Sequence, residues 1–314
     1  MPAFALIALD VPLKKLFAYA LGNFTPAVGS RVLVPFGPRR LSGIVIALRG
    51  DAADYAGTPK AILQLLSDLP ALPSDTLQLC EFVADYYHHP LGAVLAAALP
   101  TAFRGVAAFR EPAAPCVYFA SDHAALLSHI PKRAHAQLRV AEALNVPHSP
   151  AAIRRLHGSA WRWAQDWLAS GWLAQAPEAQ SLAAPSPALA LNAEQAAVVD
   201  ELLAARGFKP FLLYGITGSG KTEVYLQTIT QILARGQQVL VLIPEINLTP
   251  QLEGRFRARF PGVRMATLHS GLNNTERAVN WLAALRGEAQ IVLGTRLAVF
   301  APLPRLGMII VDEE

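Results

Sequence analysis

The stretch that most constrains this chain is Gly215-Ile-Thr-Gly-Ser-Gly-Lys-Thr222, which fits G-x-x-x-x-G-K-[ST] at every fixed position. Before it, Phe211-Leu-Leu-Tyr214 is a short apolar run of the kind that forms a buried strand. After it, residues from Glu223 onward place apolar side chains at helical spacing. A strand, a glycine loop and a helix in that order turn a pattern into a physical expectation. Gly215, Gly218 and Gly220 allow backbone conformations that a Cβ forbids. The loop N–H groups, including those of Ile216, Thr217 and Ser219, can then surround a polyphosphate at a helix N-terminus. Lys221 reaches the β- and γ-phosphates in this reading, and Thr222 ligates Mg²⁺. A glycine-rich turn with a chance lysine would lack the flanking strand and helix.

The 314 residues are enough for two or three domains. They are 53% hydrophobic and 16% charged, against a usual charged share of about 25%. Such a chain can bury sizeable cores. The net charge of +4 is spread thinly, with nine basic and seven acidic residues in 1–110, six and five in 111–187, and twelve and eleven in 188–314. Composition permits a nucleic-acid partner without arguing for one. Cys80 and Cys116 are too few for a disulfide framework or a zinc site within the chain, which suits a reducing, cytoplasmic setting. Residues 2–9 are apolar but lack a preceding basic residue, so they read as a first strand and not as a signal peptide. No apolar run reaches the length of a membrane span, so a soluble protein with no membrane partner is expected.

The sequence divides into three regions. In residues 1–106, Phe4 to Leu9, Arg31 to Val34 and Gly43 to Leu48 read as short strands between glycine-containing turns, which predicts a small β-barrel or sandwich. A helix follows from Ser74 through Tyr87, with Ser74 or Asp75 as its cap. Phe17, Tyr19, Arg39, Arg40 and Lys60 could meet bases and phosphates, but core aromatics and a solvated turn explain them equally simply. The adjacent His88 and His89 lack a third ligand for a metal. Residues 107–187 hold three helical stretches between proline-rich linkers and end in a hairpin, a winged-helix-like pattern. Its tryptophan-rich helix at 161–168 argues for packing or backbone contact over base reading.

In residues 188–314 strands alternate with helices, which implies a parallel sheet with ligands gathered at the carboxyl ends of its strands. Met308-Ile-Ile-Val311 delivers Asp312 and Glu313 to that edge about ninety residues after the phosphate loop. Asp312 can hold the Mg²⁺ shell, and Glu313 can orient and deprotonate an attacking water. Lys221, Asp312 and Glu313 are therefore the candidate catalytic residues. The loops Pro244 to Gln251 and Gly294-Thr-Arg296 lie on the same edge and suit a nucleic-acid backbone better than a small acceptor. A P-loop kinase or transport ATPase fits the alternation but not these two loops.

Taken together, Leu191-Asn-Ala-Glu-Gln195, the phosphate loop, Ile243-Pro-Glu-Ile246, Leu268-His-Ser-Gly271, Gly294-Thr-Arg296 and Val311-Asp-Glu-Glu314 resemble the superfamily 2 helicase lobe of the primosomal protein N′ family. Gly29 to Gly37 and Asp85-Tyr-Tyr-His-His-Pro90 extend the resemblance to the N-terminal region. The resemblance implies a multidomain α/β protein: a β-rich DNA-binding domain, a winged-helix-like domain and a partial RecA-like lobe. It implies a 3′-to-5′ DNA helicase of replication restart that uses ATP and Mg²⁺, recognises forked and single-stranded DNA, and engages primosome and single-strand-binding proteins. It implies a 3′-end pocket at Phe17, Gly37 and Lys60, adenine recognition by Gln195, and single-strand contacts from Thr249 and Arg296. Ala18 stands where the family commonly has an acidic residue, and alanine cannot accept a hydrogen bond from a 3′-hydroxyl. The family's second lobe and zinc module would lie beyond residue 314, so this chain reads as an N-terminal fragment whose own turnover is low. A non-catalytic fork-binding piece with an idle nucleotide fold is the alternative.

Overall fold

A computed structural model of the chain describes residues 3–50, 58–112, 116–177, 187–216, 218–244 and 250–312. It contains two compact units: residues 1–111 with 183–314, and residues 112–182.

The first unit begins with strands β1 (Phe4–Leu9), β2 (Phe17–Ala20), β3 (Arg31–Phe36), β4 (Arg39–Arg49) and β5 (Gln64–Leu65). They form an antiparallel sheet in the order β2-β1-β4-β3-β5. Ala20 N donates to Lys60 O and Ile62 N to Ala20 O, so the segment leading into β5 bonds both edge strands. A single bridge at Ala20 thereby closes the sheet into a small barrel. Period-two alternation sends Ile7 and Val45 into the barrel core and Ala8 and Ile44 to its outer face. That outer face is covered by helices α1 (Ser74–Tyr86) and α2 (Leu91–Ala98). The approach of α2 is close: a Cβ on Gly92 would fall 1.7 Å from Leu9 O. The expected cap on α1 is not made, because Pro73 is the N-cap residue and Ser74 Oγ instead donates to Asp75 Oδ1 at 3.0 Å. Cys80 is buried on α1, and burial followed by the Glu81 charge pushes its thiol up to about 12, far from a nucleophile's range.

In the second unit, β6 (Cys116–Ala120) pairs antiparallel with β7 (Leu173–Pro177) across four helices, α3 (His123–His129), α4 (His135–Ala143), α5 (Pro150–Leu156) and α6 (Ala160–Ala169). The pairing joins the two ends of the unit in place of the expected terminal hairpin, and α3 is a helix beyond the three expected. Trp167 is buried, while Trp161 and Trp163 are half-buried under Arg154 and His157 respectively.

The first unit resumes with α7 (Ala193–Ala204), α8 (Lys221–Ala234), β8 (Gln238–Leu242), α9 (Pro250–Arg259), β9 (Met265–Leu268), α10 (Asn274–Leu285), β10 (Ile291–Gly294) and β11 (Leu306–Val311). The strands form a parallel sheet in the order β11-β8-β10-β9, as the alternating pattern predicts. Helices α8 and α9 cover one face through Ile229 and Phe256, and α10 covers the other through Trp281 and Leu282. One expectation fails. Phe211–Tyr214 forms no strand; Leu212 and Tyr214 are 88% and 92% exposed. An apolar run becomes a strand only where a neighbouring backbone accepts and donates its hydrogen bonds, and among the described residues none does.

The two sheets of this unit share a core. Phe103, in a short 3₁₀ turn, is 1% exposed, and its ring centroid lies 5.6 Å from that of Trp281. Below it Arg31, from β3, forms a fully buried ion pair with Asp68. Its guanidinium also donates to Gly105 O, and Phe109 N donates to Asp68 Oδ2 at 2.8 Å. Asp68→Ala should cost about 3–5 kcal/mol by leaving a buried charge unpaired, whereas Arg31→Met with Asp68→Leu should recover most of that loss. Urea denaturation of the two variants checks this.

Candidate functional site

The phosphate loop is built from the start of α8 outward. Gly220 is the N-cap residue of α8 in a left-handed conformation, φ +83°, and Gly218 has φ +82°. A Cβ on Gly220 would also lie 2.4 Å from the Gln195 amide nitrogen. Lys221 opens the helix, and its Nζ donates to Gly215 O at 2.6 Å, folding the loop over its own lysine. Gln195 ties α7 to the loop. Its Nε2 donates to Ser219 O at 2.9 Å, while its Oε1 accepts from Asn192 N at 3.0 Å in a capping box. The segment before α7 is strapped to α8 as well: Leu189 N donates to Glu223, and Gln227 Nε2 donates to Leu189 O at 2.8 Å. Glu223 further pairs with Arg259 of α9 at 3.6 Å.

Asp312 follows β11, and its N–H donates to Leu242 O at the carboxyl end of β8. There it meets Tyr225, whose hydroxyl hydrogen-bonds the Asp312 carboxylate. Burial, then the Asp312 charge and that bond, raise the Tyr225 phenol above its usual value. Tyr225 lies one helical turn beyond Thr222, so this contact draws the acidic strand end to the loop helix. The sequence reading assigned Tyr225 no role; the signal was its spacing from Thr222. Arg296 is exposed at the carboxyl end of β10, beside Thr295, whose N–H donates to Leu268 O. Thr217, Thr249 and Glu313 lie outside the described residues.

Of the N-terminal candidates, Phe17 and Gly37 are brought together by Phe36, whereas Lys60 bonds the opposite end of β2. Phe17 packs edge-on against Phe36 at 5.3 Å, and Gly37 follows Phe36 in the β3–β4 turn with φ +56°. Lys60 is exposed, with its carbonyl bonded to Ala20 at the other end of β2. Lys15 lies over the Phe17 ring, 5.3 Å from its centroid. Ala18 is buried, and Tyr19, also buried, donates from its hydroxyl to Pro35 O at 2.9 Å, which makes it a core aromatic. Among the described residues no three His, Cys, Asp or Glu side chains gather as a metal site, and no helix is long and apolar enough to cross a membrane.

A glycine loop at a helix N-terminus, with an acidic strand end beside that helix, lies in a parallel-sheet lobe that shares a core with a small β-barrel. Residues 192–314 match the DEAD/DEAH box helicase model, and residues 6–100 match the 3′ DNA-binding domain model. The class is thus a helicase lobe preceded by a DNA-binding domain. The replication restart protein PriA of Haemophilus influenzae is 36% identical over 98% of this chain and 44% of its own length. That of Bacillus subtilis is 30% identical over 99% of the chain and 49% of its length. The Synechocystis protein of the same name is 51% identical over 45% of the chain and 16% of its own length. The chain belongs to the PriA family, and it spans about half the length of these relatives.

If the Gly220 conformation and its closeness to Gln195 shape the loop, Gly220→Ala should weaken binding of a fluorescent ATP analogue by at least about tenfold. An unchanged affinity would show that the loop is not the nucleotide site.

Proposed function

We propose that the chain supplies the nucleotide site and the 3′-end DNA contacts of an ATP-dependent 3′-to-5′ DNA helicase acting at stalled forks and D-loops in replication restart. The observation that supports this reading is a phosphate-loop sequence at 215–222 whose following helix carries Tyr225 against Asp312, in a lobe that matches a helicase family and shares a core with a barrel that matches a 3′ DNA-binding domain. The glycine cradle at 218 and 220, which side chains would fill or strain, fits a polyphosphate. Gly215, Ile216, Thr217, Gly218, Ser219 and Gly220 would line the phosphates, and Gln195 would exchange its bond to Ser219 O for one to adenine. Lys221 would leave Gly215 O for the β- and γ-phosphates, and Thr222 and Asp312 would hold Mg²⁺. The metal would supply charge neutralisation at the transferring phosphate. Glu313 would take the proton of the attacking water.

Phe17, Gly37 and Lys60 would receive the leading strand's 3′ end, and Thr249 and Arg296 would touch single-stranded DNA. Ala18 offers no acceptor, so end recognition would rest on Phe17 stacking and the Lys60 charge. In domain terms we assign 1–106 to end binding, 107–187 to a winged-helix-like module and 188–314 to the first RecA-like lobe. Primosome and single-strand-binding proteins would be partners of the whole protein, whose Zn²⁺ would be held outside these residues.

Lys221→Ala should abolish nucleotide binding while leaving affinity for forked DNA unchanged, measured by calorimetry and by fluorescence anisotropy. Loss of both together would refute the assignment. Lys60→Ala should weaken binding to a 3′-ended strand by at least about fivefold and leave nucleotide binding intact.

A further inference from the structure

The end of α1 carries a group of side chains that neither the nucleotide site nor the 3′-end pocket uses. Phe82, Tyr86 and Tyr87 are 63%, 67% and 70% exposed. They form a continuous aromatic array, with Phe82 stacked on Tyr86 at 5.7 Å and Tyr86 edge-on to Tyr87 at 4.9 Å. Core aromatics bury their rings, and three adjacent exposed ones are an unusual use of large apolar surface. At the same end of α1 a cleft of about 300 Å³ is lined by Lys14, Lys15, His88 and His89, the two histidines directly following Tyr87 in the chain. Asp85 also lines it, leaving the two lysines in excess.

The backbone at this corner is held in a costly shape. Among the described residues His88 is the one non-glycine with positive φ, at 53°. Its N–H donates to Asp85 O, and His89 N donates to Ala84 O at 2.8 Å, the paired bonds of a helix end that ordinarily takes glycine. A histidine there gives up backbone comfort and gains a ring at the cleft mouth.

We infer that this corner is a second single-strand DNA site, with bases stacked on Phe82, Tyr86 and Tyr87 and the backbone phosphates on Lys14 and Lys15. Exposed aromatics accept any base through its π-face, and lysines follow the phosphates without sequence preference. Lys15 sits over Phe17 and also lines the cleft. A strand whose 3′ end occupies the Phe17 pocket would therefore continue along this lysine toward the aromatic array. The inference rests on the reading of the barrel as a DNA-end site and extends that site by several nucleotides.

The test uses the full chain and 5′-fluorescein oligothymidylates of increasing length, read by anisotropy. The wild-type affinity should rise with length as the strand reaches the array. Phe82→Ala/Tyr86→Ala/Tyr87→Ala should remove that rise and weaken the longest oligomer by at least about tenfold. The same variant should keep the wild-type affinity for the shortest 3′-ended oligomer and for nucleotide. Lys14→Ala/Lys15→Ala should lower the salt dependence of binding by about one to two units of slope. His88→Gly should raise the melting temperature yet weaken the longer oligomers, a split that a purely structural histidine would not give. If the triple variant binds every length as the wild type does, the second site is refuted while the 3′-end reading stands. If the triple variant alters only self-association in ultracentrifugation, the array is a protein contact and the inference fails. If the wild type binds no oligomer at all, both readings fall.

Discussion

Phe103 seated against Trp281 is the contact on which the arrangement of the larger unit depends. Each ring is almost fully buried, and neither sheet could bury its own: Phe103 follows the barrel's helices, whereas Trp281 lies on the helix covering the parallel sheet. One continuous apolar cluster thus runs from Ala8 and Ile44 to Leu240 and Val292. Burial of this size is the main favourable term in folding, and sharing it couples the two sheets. The buried Arg31–Asp68 pair fixes the route of the chain between them, since Arg31 also donates to Gly105 O and Asp68 Oδ2 also accepts from Phe109 N, while Arg31 Nε and Asp68 Oδ1 are buried without a partner among the described residues. A buried pair of that kind gives specificity of arrangement more readily than net stability.

On that frame the proposed nucleotide site is a matter of local geometry. A left-handed Gly220 starts α8, Lys221 opens it, and Tyr225 on the same helix holds Asp312. Gln195, placed by its own capping box, links a third element to the loop. Lys221 donates to Gly215 O, a neutral acceptor that a polyphosphate would replace with charged ones.

Much of this was legible in the chain. The parallel alternation is a pattern with one physical solution, and the sheet order agrees with it; the phosphate loop was legible as a motif, although the strand expected before it does not form. The barrel was legible as a class. Its closure through Lys60 and Ala20 was not, because a pair of hydrogen bonds between segments forty residues apart leaves no periodicity. Phe211–Tyr214 misled because hydrophobicity measures the wish to be buried, while a strand also needs a partner backbone. The same limit applies to Phe82, Tyr86 and Tyr87: helical periodicity does not say which face of α1 the barrel covers, and their exposure shows that they face outward. Tyr225 stands one helical turn from Thr222 in the sequence, yet its bond to Asp312 is a tertiary fact.

The account's central claim is that the loop at 215–222 and Asp312 form one Mg²⁺-dependent nucleotide site. Titration of ATP with Mg²⁺ and with EDTA, for the wild type and Asp312→Asn, tests it most directly. Wild-type affinity should fall at least about tenfold on removing Mg²⁺, and Asp312→Asn should erase most of that difference. Equal Mg²⁺ dependence in the two proteins would contradict the claim.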